Sequence, residues 1–174
     1  MMASAYILKF ISKNRKSVSF LICGLFLIMC IPARASTMSD IPSRQKEIVD
    51  KFNRQEQWMD KMQLLIDMGN DNESFDEKYK INSNIIEGCS TRVWMFVEKK
   101  NGKLHYYGYT DALVLNGVLS VLFYVFNDSS PHEVLNASFE FFDRIGIKEY
   151  LSPTRSNDVN IIITKFLSIA KSNL

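Results

Sequence analysis

Cysteine is scarce in this chain of 174 residues, and its three copies are unevenly placed. Cys23 and Cys30 sit in an apolar stretch near the start, and only Cys89 lies in the remainder. A lone thiol there cannot close an internal disulfide or build a multi-thiolate metal site by itself. It is either a buried structural residue or one that reacts with something outside the chain. Histidine is as sparse. His105 and His132 have no second histidine or cysteine at ligand spacing, so no metal site is expected. No Pro/Gly-rich tract, single-residue tract or internal repeat occurs, which excludes low-complexity and solenoid architectures. The apolar run Ser17 to Ile31 falls short of the roughly 20 residues a membrane helix needs. Acid is missing altogether before Asp40.

What is present is ordinary globular composition, 47% hydrophobic and 23% charged, at a length that suits one domain with a single core. The formal charge of +2 misleads, because five of the 21 basic residues (Lys9, Lys13, Arg15, Lys16 and Arg34) precede Met38. Without them 16 basic residues face 19 acidic ones, and the body is mildly acidic. Phosphate binding needs a concentrated basic surface, so nucleic acid is not the expected partner.

Residues 1–37 read as a signal-like leader outside the fold. A basic n-region is followed by the apolar run, by Pro32, and by the small-x-small pattern Ala33-Arg34-Ala35. Three readings are open: a secretory signal, an acid-free organelle-targeting leader, or upstream sequence read in frame with a true start at Met38. The segment alone favours the first.

The domain is then expected over 38–174. Ser43 to Phe52 fits a first helix. A second runs from Gln55 to Met68, with Trp58, Met62, Leu65 and Ile66 on its apolar face and Gly69-Asn70 as its stop. Phe75 and Tyr79 anchor an otherwise polar stretch. Ile85-Ile86 suggests a short strand leading to Gly88-Cys89. Thr91 to Glu98 reads as a strand apolar on both faces, turning at Asn101-Gly102 into a return strand, Leu104 to Tyr109. Thr110 is the expected cap of a helix through Phe126, with Asp111 in its first turn; this helix is apolar nearly all round and central to the core. Ser130-Pro131-His132-Glu133 predicts a capping box. A short helix over 139–145 and a loop at Leu151-Ser152-Pro153 follow. The last helix is expected to be capped by Ser156 or Asn157. Segregated strands and helices predict an α+β domain: a small antiparallel sheet packed against several helices.

Cys89 is the residue with chemistry to offer. Gly88 before it permits otherwise strained backbone angles or close approach to a partner. Thiolate character is raised by neighbouring cations, and Arg92 in sequence and Arg155 in space are the candidates. On composition alone, an inert buried cysteine fits equally well.

The string Glu87-Gly88-Cys89-Ser90-Thr91-Arg92-Val93-Trp94 resembles the signature of the SufE family, in which Gly-Cys precedes a short run ending Val-Trp. Thr110-Asp111-Ala112 with Val114 and Gly117 is similar to that family's Ser-Asp-Ala segment. Leu151-Ser152-Pro153-Thr154-Arg155-Ser156-Asn157 is similar to its Leu-Ser-Pro-Ser-Arg-Ser-Asn segment. Trp58 and Leu65-Ile66 with Gly69 match an early tryptophan and helix end, so the resemblance spans Gln45 to Ala170. It implies a SufE/IscU-like fold and a sulfur acceptor. Cys89 would take persulfide sulfur from a SufS-type cysteine desulfurase, stimulate it, and pass the sulfur to an iron–sulfur cluster scaffold complex. Pyridoxal phosphate belongs to the desulfurase, and the acceptor needs no cofactor of its own. Gly88, Arg92, Asp111 and Arg155 are implied supporting or partner-contact residues, although Asp111 also reads as a helix-dipole residue and Arg155 as a loop pin.

Three positions depart from the family pattern. Ser90 stands where glutamine is usual, Tyr150 where histidine is common, and Asp158 where glycine follows Ser-Asn. Two rival functions remain in view. An exported binding module with a structural Cys89 is favoured by the leader alone. A cluster scaffold would need three cysteines. Sulfur relay suits a reducing compartment, so the expectation is a cytoplasmic protein starting near Met38, with no membrane attachment of the mature domain. An exported or organellar form follows if the leader is real.

Overall fold

A computed structural model describes residues 40–174, which lie in the unit Ser39–Leu174. The leader reading therefore falls outside the described residues. The order is α1 (Ile41–Asn53), α2 (Trp58–Asn70), two single 3-10 turns (Glu77–Tyr79 and Asn82–Asn84), β1 (Val93–Lys100), β2 (Lys103–Thr110), α3 (Leu113–Phe126), α4 (Pro131–Asn136), α5 (Phe141–Arg144), a third 3-10 turn (Lys148–Tyr150) and α6 (Pro153–Ser172). This is the α+β arrangement the pattern predicts: one antiparallel two-stranded sheet, with helices grouped on either side of it in sequence.

The hairpin register runs from Val93 opposite Thr110 to Lys100 opposite Lys103. Asn101 and Gly102 take φ of 54° and 75°, the double left-handed step of a type I′ turn. Both faces of β1 are covered, as its two-sided apolar pattern predicts: Val93, Trp94 and Met95 are all buried. The outer face is closed by the polar stretch before the sheet. There, the rings of Phe75 and Tyr79 lie 5.6 Å and 4.2 Å from the ring of Phe96. The expected Ile85-Ile86 strand is only a single bridge, Ile85 to Trp94, sealed by Ile86 N–H donating to the Val93 carbonyl.

Helix α3 is the hub, packing against α1, α2, β2 and α6. Leu115, Leu119, Leu122, Val125 and Phe126 are wholly buried. Leu113 is an exception to the all-round apolar burial expected of this helix: it is 58% exposed because it opens the helix on its solvent side. Helix α6 contributes Val159, Ile162, Phe166 and Ala170, and Phe166 stacks on Tyr106 at 3.9 Å.

Three other expectations are corrected. Trp58 is not on the core face of α2. It is half exposed at the first residue and stacks on Tyr150 at the rim, 5.7 Å between rings. Gly69 is not a helix stop but lies inside α2, where the missing side chain lets the backbones of α2 and α3 meet at Gly117. Thr110 does not cap α3. Pairing with Val93 keeps it in β2, so the cap position passes to Ala112, and Asp111 precedes the helix rather than lying in its first turn.

The cap of α6 also sits earlier than predicted. Ser152 Oγ accepts from the Arg155 N–H, Pro153 is the first helical residue, and Ser156 and Asn157 are interior. The Ser130–Glu133 capping box is formed in both directions. Replacing Ser130 by alanine removes one acceptor for an orphan N–H and is expected to lower stability by about 1 kcal/mol in denaturant titration.

Candidate functional site

The open end of the hairpin and the first turns of α6 meet at the Cys89 loop. The chain reaches that point through Gly88 at φ +89°, a left-handed angle that a residue with a Cβ rarely adopts. Gly88 lies over Ile161 of α6: a Cβ there would meet Ile161 Cδ1 at 3.5 Å, so angle rather than space is the constraint. After this turn Cys89 leans on the rim of the core, half buried, and it is the free thiol among the described residues. Its Sγ lies 4.0 Å from the Asp158 main-chain carbonyl, a weak S–H contact.

The loop is held by Asp158. This carboxylate is 1% exposed. Its Oδ1 accepts from the Ser90 N–H at 2.8 Å, and its Oδ2 accepts from the Ser90 hydroxyl at 2.5 Å. Arg155, one turn earlier on α6, donates from Nη1 to the same Oδ2 at 3.3 Å. That nitrogen also lies 3.4 Å from Ser90 Oγ and 3.3 Å from Thr91 Oγ1. A buried carboxylate needs several donors in place of water, and here the loop supplies two and the arginine a third.

Electrostatics at the thiol run opposite to the sequence-based expectation. Arg155 directs its charge at Asp158. Arg92 is exposed, with its guanidinium 5.8 Å from the Trp94 ring. Burial, with the Asp158 charge adding to it, pushes the Cys89 thiol up to about 11 from an ordinary 9.0. Cys89 in this position is protonated at neutral pH and is a poor nucleophile. Alkylation of Cys89 by iodoacetamide is therefore expected to rise about tenfold per pH unit from pH 7 to 10. At pH 8 its thiolate fraction should lie about a hundredfold below that of an unhindered thiol, and its rate about tenfold below once the greater nucleophilicity of the more basic thiolate is counted. A rate that levels off near pH 9 would contradict this.

Gly88, Cys89 and Arg155 are thus brought together. Arg92 and Asp111 share the open hairpin end with them, Thr110 pairing with Val93, but neither touches the thiol. Asp111 accepts from the Tyr109 hydroxyl at 2.6 Å, and Lys80 lies 3.8 Å over the Tyr109 ring. Sequence reasoning missed the role of Asp158. The signal was there in the two departures, Ser90 and Asp158, which the fold places in direct contact.

The whole arrangement, from the early helix to the last, falls inside a match to a family model. Residues 46–170 match the family described as "SufE: Fe-S metabolism associated domain". The chain belongs to the SufE family. A relative named "Cysteine desulfuration protein SufE", from Wigglesworthia glossinidia brevipalpis, is 29% identical over 121 residues, covering 68% of this chain and 83% of that protein. The solution structure of a hypothetical protein from Thermus thermophilus aligns with a TM-score of 0.63 and 15% identity. It covers 75% of this chain and 95% of that one, a likeness of fold. Among the described residues of this SufE-family chain, no helix is long and apolar enough to cross a membrane, and no three or more of His, Cys, Asp and Glu group as metal ligands.

Proposed function

We propose that Cys89 is a persulfide carrier that receives sulfur from a SufS-type cysteine desulfurase and delivers it to an iron–sulfur cluster scaffold complex. The observation that carries this reading is a free thiol on a loop entered through a left-handed glycine, within a chain of the SufE family. The Cys89 thiolate attacks the outer sulfur of the desulfurase's cysteine persulfide. The sulfur–sulfur bond on the desulfurase breaks as a new one forms to Cys89. The desulfurase cysteine leaves as a thiolate and takes up a proton, with no net oxidation.

Having one thiol in 38–174 suits the role, because a second beside it would displace the sulfur as sulfide and close a disulfide. The same count weighs against a three-cysteine cluster scaffold. Arg92, Asp111 and Lys80 at the open hairpin end supply charges of both signs around the partly buried ring of Tyr109, a suitable contact surface for the desulfurase. Residues 38–174 are the working domain of this reading, and a reducing compartment, the cytoplasm, is its setting.

The test is cysteine turnover by a SufS-type desulfurase with pyridoxal phosphate and excess cysteine, as this protein is titrated in. Saturable acceleration is expected. An unchanged rate across the titration, with the desulfurase shown to be active, would leave the exported binding module with a structural Cys89 as the better reading.

A further inference from the structure

The buried carboxylate of Asp158 is the least accounted-for group near the site. It spends no bond on its own helix's N–H groups, and two of its three donors come from a single residue of the Cys89 loop. The loop residue it grips is the one directly after Cys89, so the backbone at Cys89 cannot swing outward without breaking the Ser90 N–H bond. The other holds on the loop are weaker: Arg155 reaches Thr91 Oγ1 and Ser90 Oγ only at 3.3 Å and 3.4 Å. Gly88 has no side chain to anchor it, and Cys89 leans on the rim of the core with one weak polar contact, at 4.0 Å.

Closed, the thiol is half buried and faces the Asp158 carbonyl, out of line for attack by a bulky partner. Meeting the outer sulfur of a protein-bound persulfide needs the loop to leave this seat. We infer that Asp158 is a positioning residue for sulfur transfer: through its two hydrogen bonds to Ser90 it latches the Cys89 loop shut, and the desulfurase engages the released form. Arg155 neutralises the latch from the solvent side, being about a third exposed, and lets a carboxylate persist there.

This inference rests on the sulfur-acceptor reading but is separable from it. If only the released form binds, the apparent affinity for the desulfurase is reduced by the fraction released. Weakening the latch then raises two quantities by one factor: the reactivity of the free thiol, and the affinity for the desulfurase.

The experiment uses the full chain and its variants Asp158→Ala, Ser90→Ala and Ser90→Ala/Asp158→Ala. Iodoacetamide labelling is followed on the Cys89-containing peptide, which separates it from Cys23 and Cys30. Asp158→Ala is expected to label about tenfold faster or more, since two hydrogen bonds to a charged acceptor are lost. Ser90→Ala, which keeps the main-chain bond, should label faster by a smaller factor, and the double variant no faster than Asp158→Ala. The protein concentration giving half-maximal desulfurase stimulation should fall by the same factor as labelling rises, with the maximal rate unchanged.

Thermal melting reports whether Asp158→Ala stays folded. If it does not, Ser90→Ala, an exposed loop change, decides the matter alone. Labelling that is unchanged in the folded variants overturns the latch. So does faster labelling with no change in half-saturation. Faster labelling with no desulfurase response from any form, wild type included, overturns the positioning role through the sulfur-acceptor reading and leaves a latch without that function.

Discussion

Replacing Cys89 by serine is expected to abolish stimulation of the desulfurase while leaving the protein folded. Serine keeps nearly the shape of cysteine, and the site is at the rim of the core rather than within it. The melting temperature should therefore stay within about 2 °C of wild type. What is lost is the nucleophile. A serine hydroxyl is far too weak an acid to be ionised at neutral pH and cannot hold a sulfane sulfur in a reducible bond, so no residual transfer through residue 89 is expected. Cysteine turnover with the variant should match turnover by the desulfurase alone at every concentration. Partial stimulation, a third to a half of wild type, would mean that the chain acts by binding the desulfurase and that the thiol is secondary. The Cys89→Ser variant also separates this from the latch, because it leaves Ser90 and Asp158 in place.

The second large effect is structural and lies far from the thiol. Gly117 of α3 sits directly against α2: a Cβ there would lie 2.2 Å from the Leu65 carbonyl oxygen and 2.6 Å from Leu65 Cγ. The facing Gly69 is as tight, with its own Cβ position 2.7 Å from the Gly117 nitrogen. Both obstacles are mainly backbone, and backbone in two packed helices cannot yield without moving a helix. Ser120 adds to the constraint by donating from its hydroxyl to the Met68 carbonyl across the same interface. Gly117→Ala is expected to cost about 3 kcal/mol or more and to lower the melting temperature by about 10 °C, despite alanine's better helix propensity. Alanine at Gly102, where nothing lies within 4 Å, should cost much less and serves as the control, its penalty arising from φ alone. Equal losses at the two positions would contradict the close-approach account.

How far the sequence reached depended on the kind of signal. The hairpin was legible because Asn101-Gly102 fixes a turn type and the two-sided apolar pattern of Val93 to Val97 needs cover on both faces. The capping box at Ser130 was legible because both of its partners lie within four residues. Trp58 was misplaced because helical spacing cannot tell the first residue of a helix, which hangs over the rim, from one a turn further in. Thr110 was misplaced because its cap signal competed with ladder pairing to Val93, and the ladder prevailed. The Gly-Pro-Asn-Ser punctuation that marks boundaries also hid a cap at Ser152, read as loop. At the site, Cys89, Gly88 and Arg155 could be named from local strings. The protonated state of the thiol could not, because it depends on burial and on a carboxylate 69 residues away. Ser90 and Asp158 were each noted as unusual, but their partnership is a long-range contact that no single-sequence pattern encodes.

The central claim is that sulfur comes to rest on Cys89, and peptide-resolved mass spectrometry tests it most directly. The full chain is incubated with a SufS-type desulfurase, pyridoxal phosphate and cysteine, quenched with an alkylating agent, and digested with and without prior reduction. The account predicts that the Cys89 peptide alone gains the mass of one sulfur atom, and that reduction removes it. An unmodified Cys89 peptide beside an active desulfurase, or sulfur found on Cys23 or Cys30 instead, would contradict it.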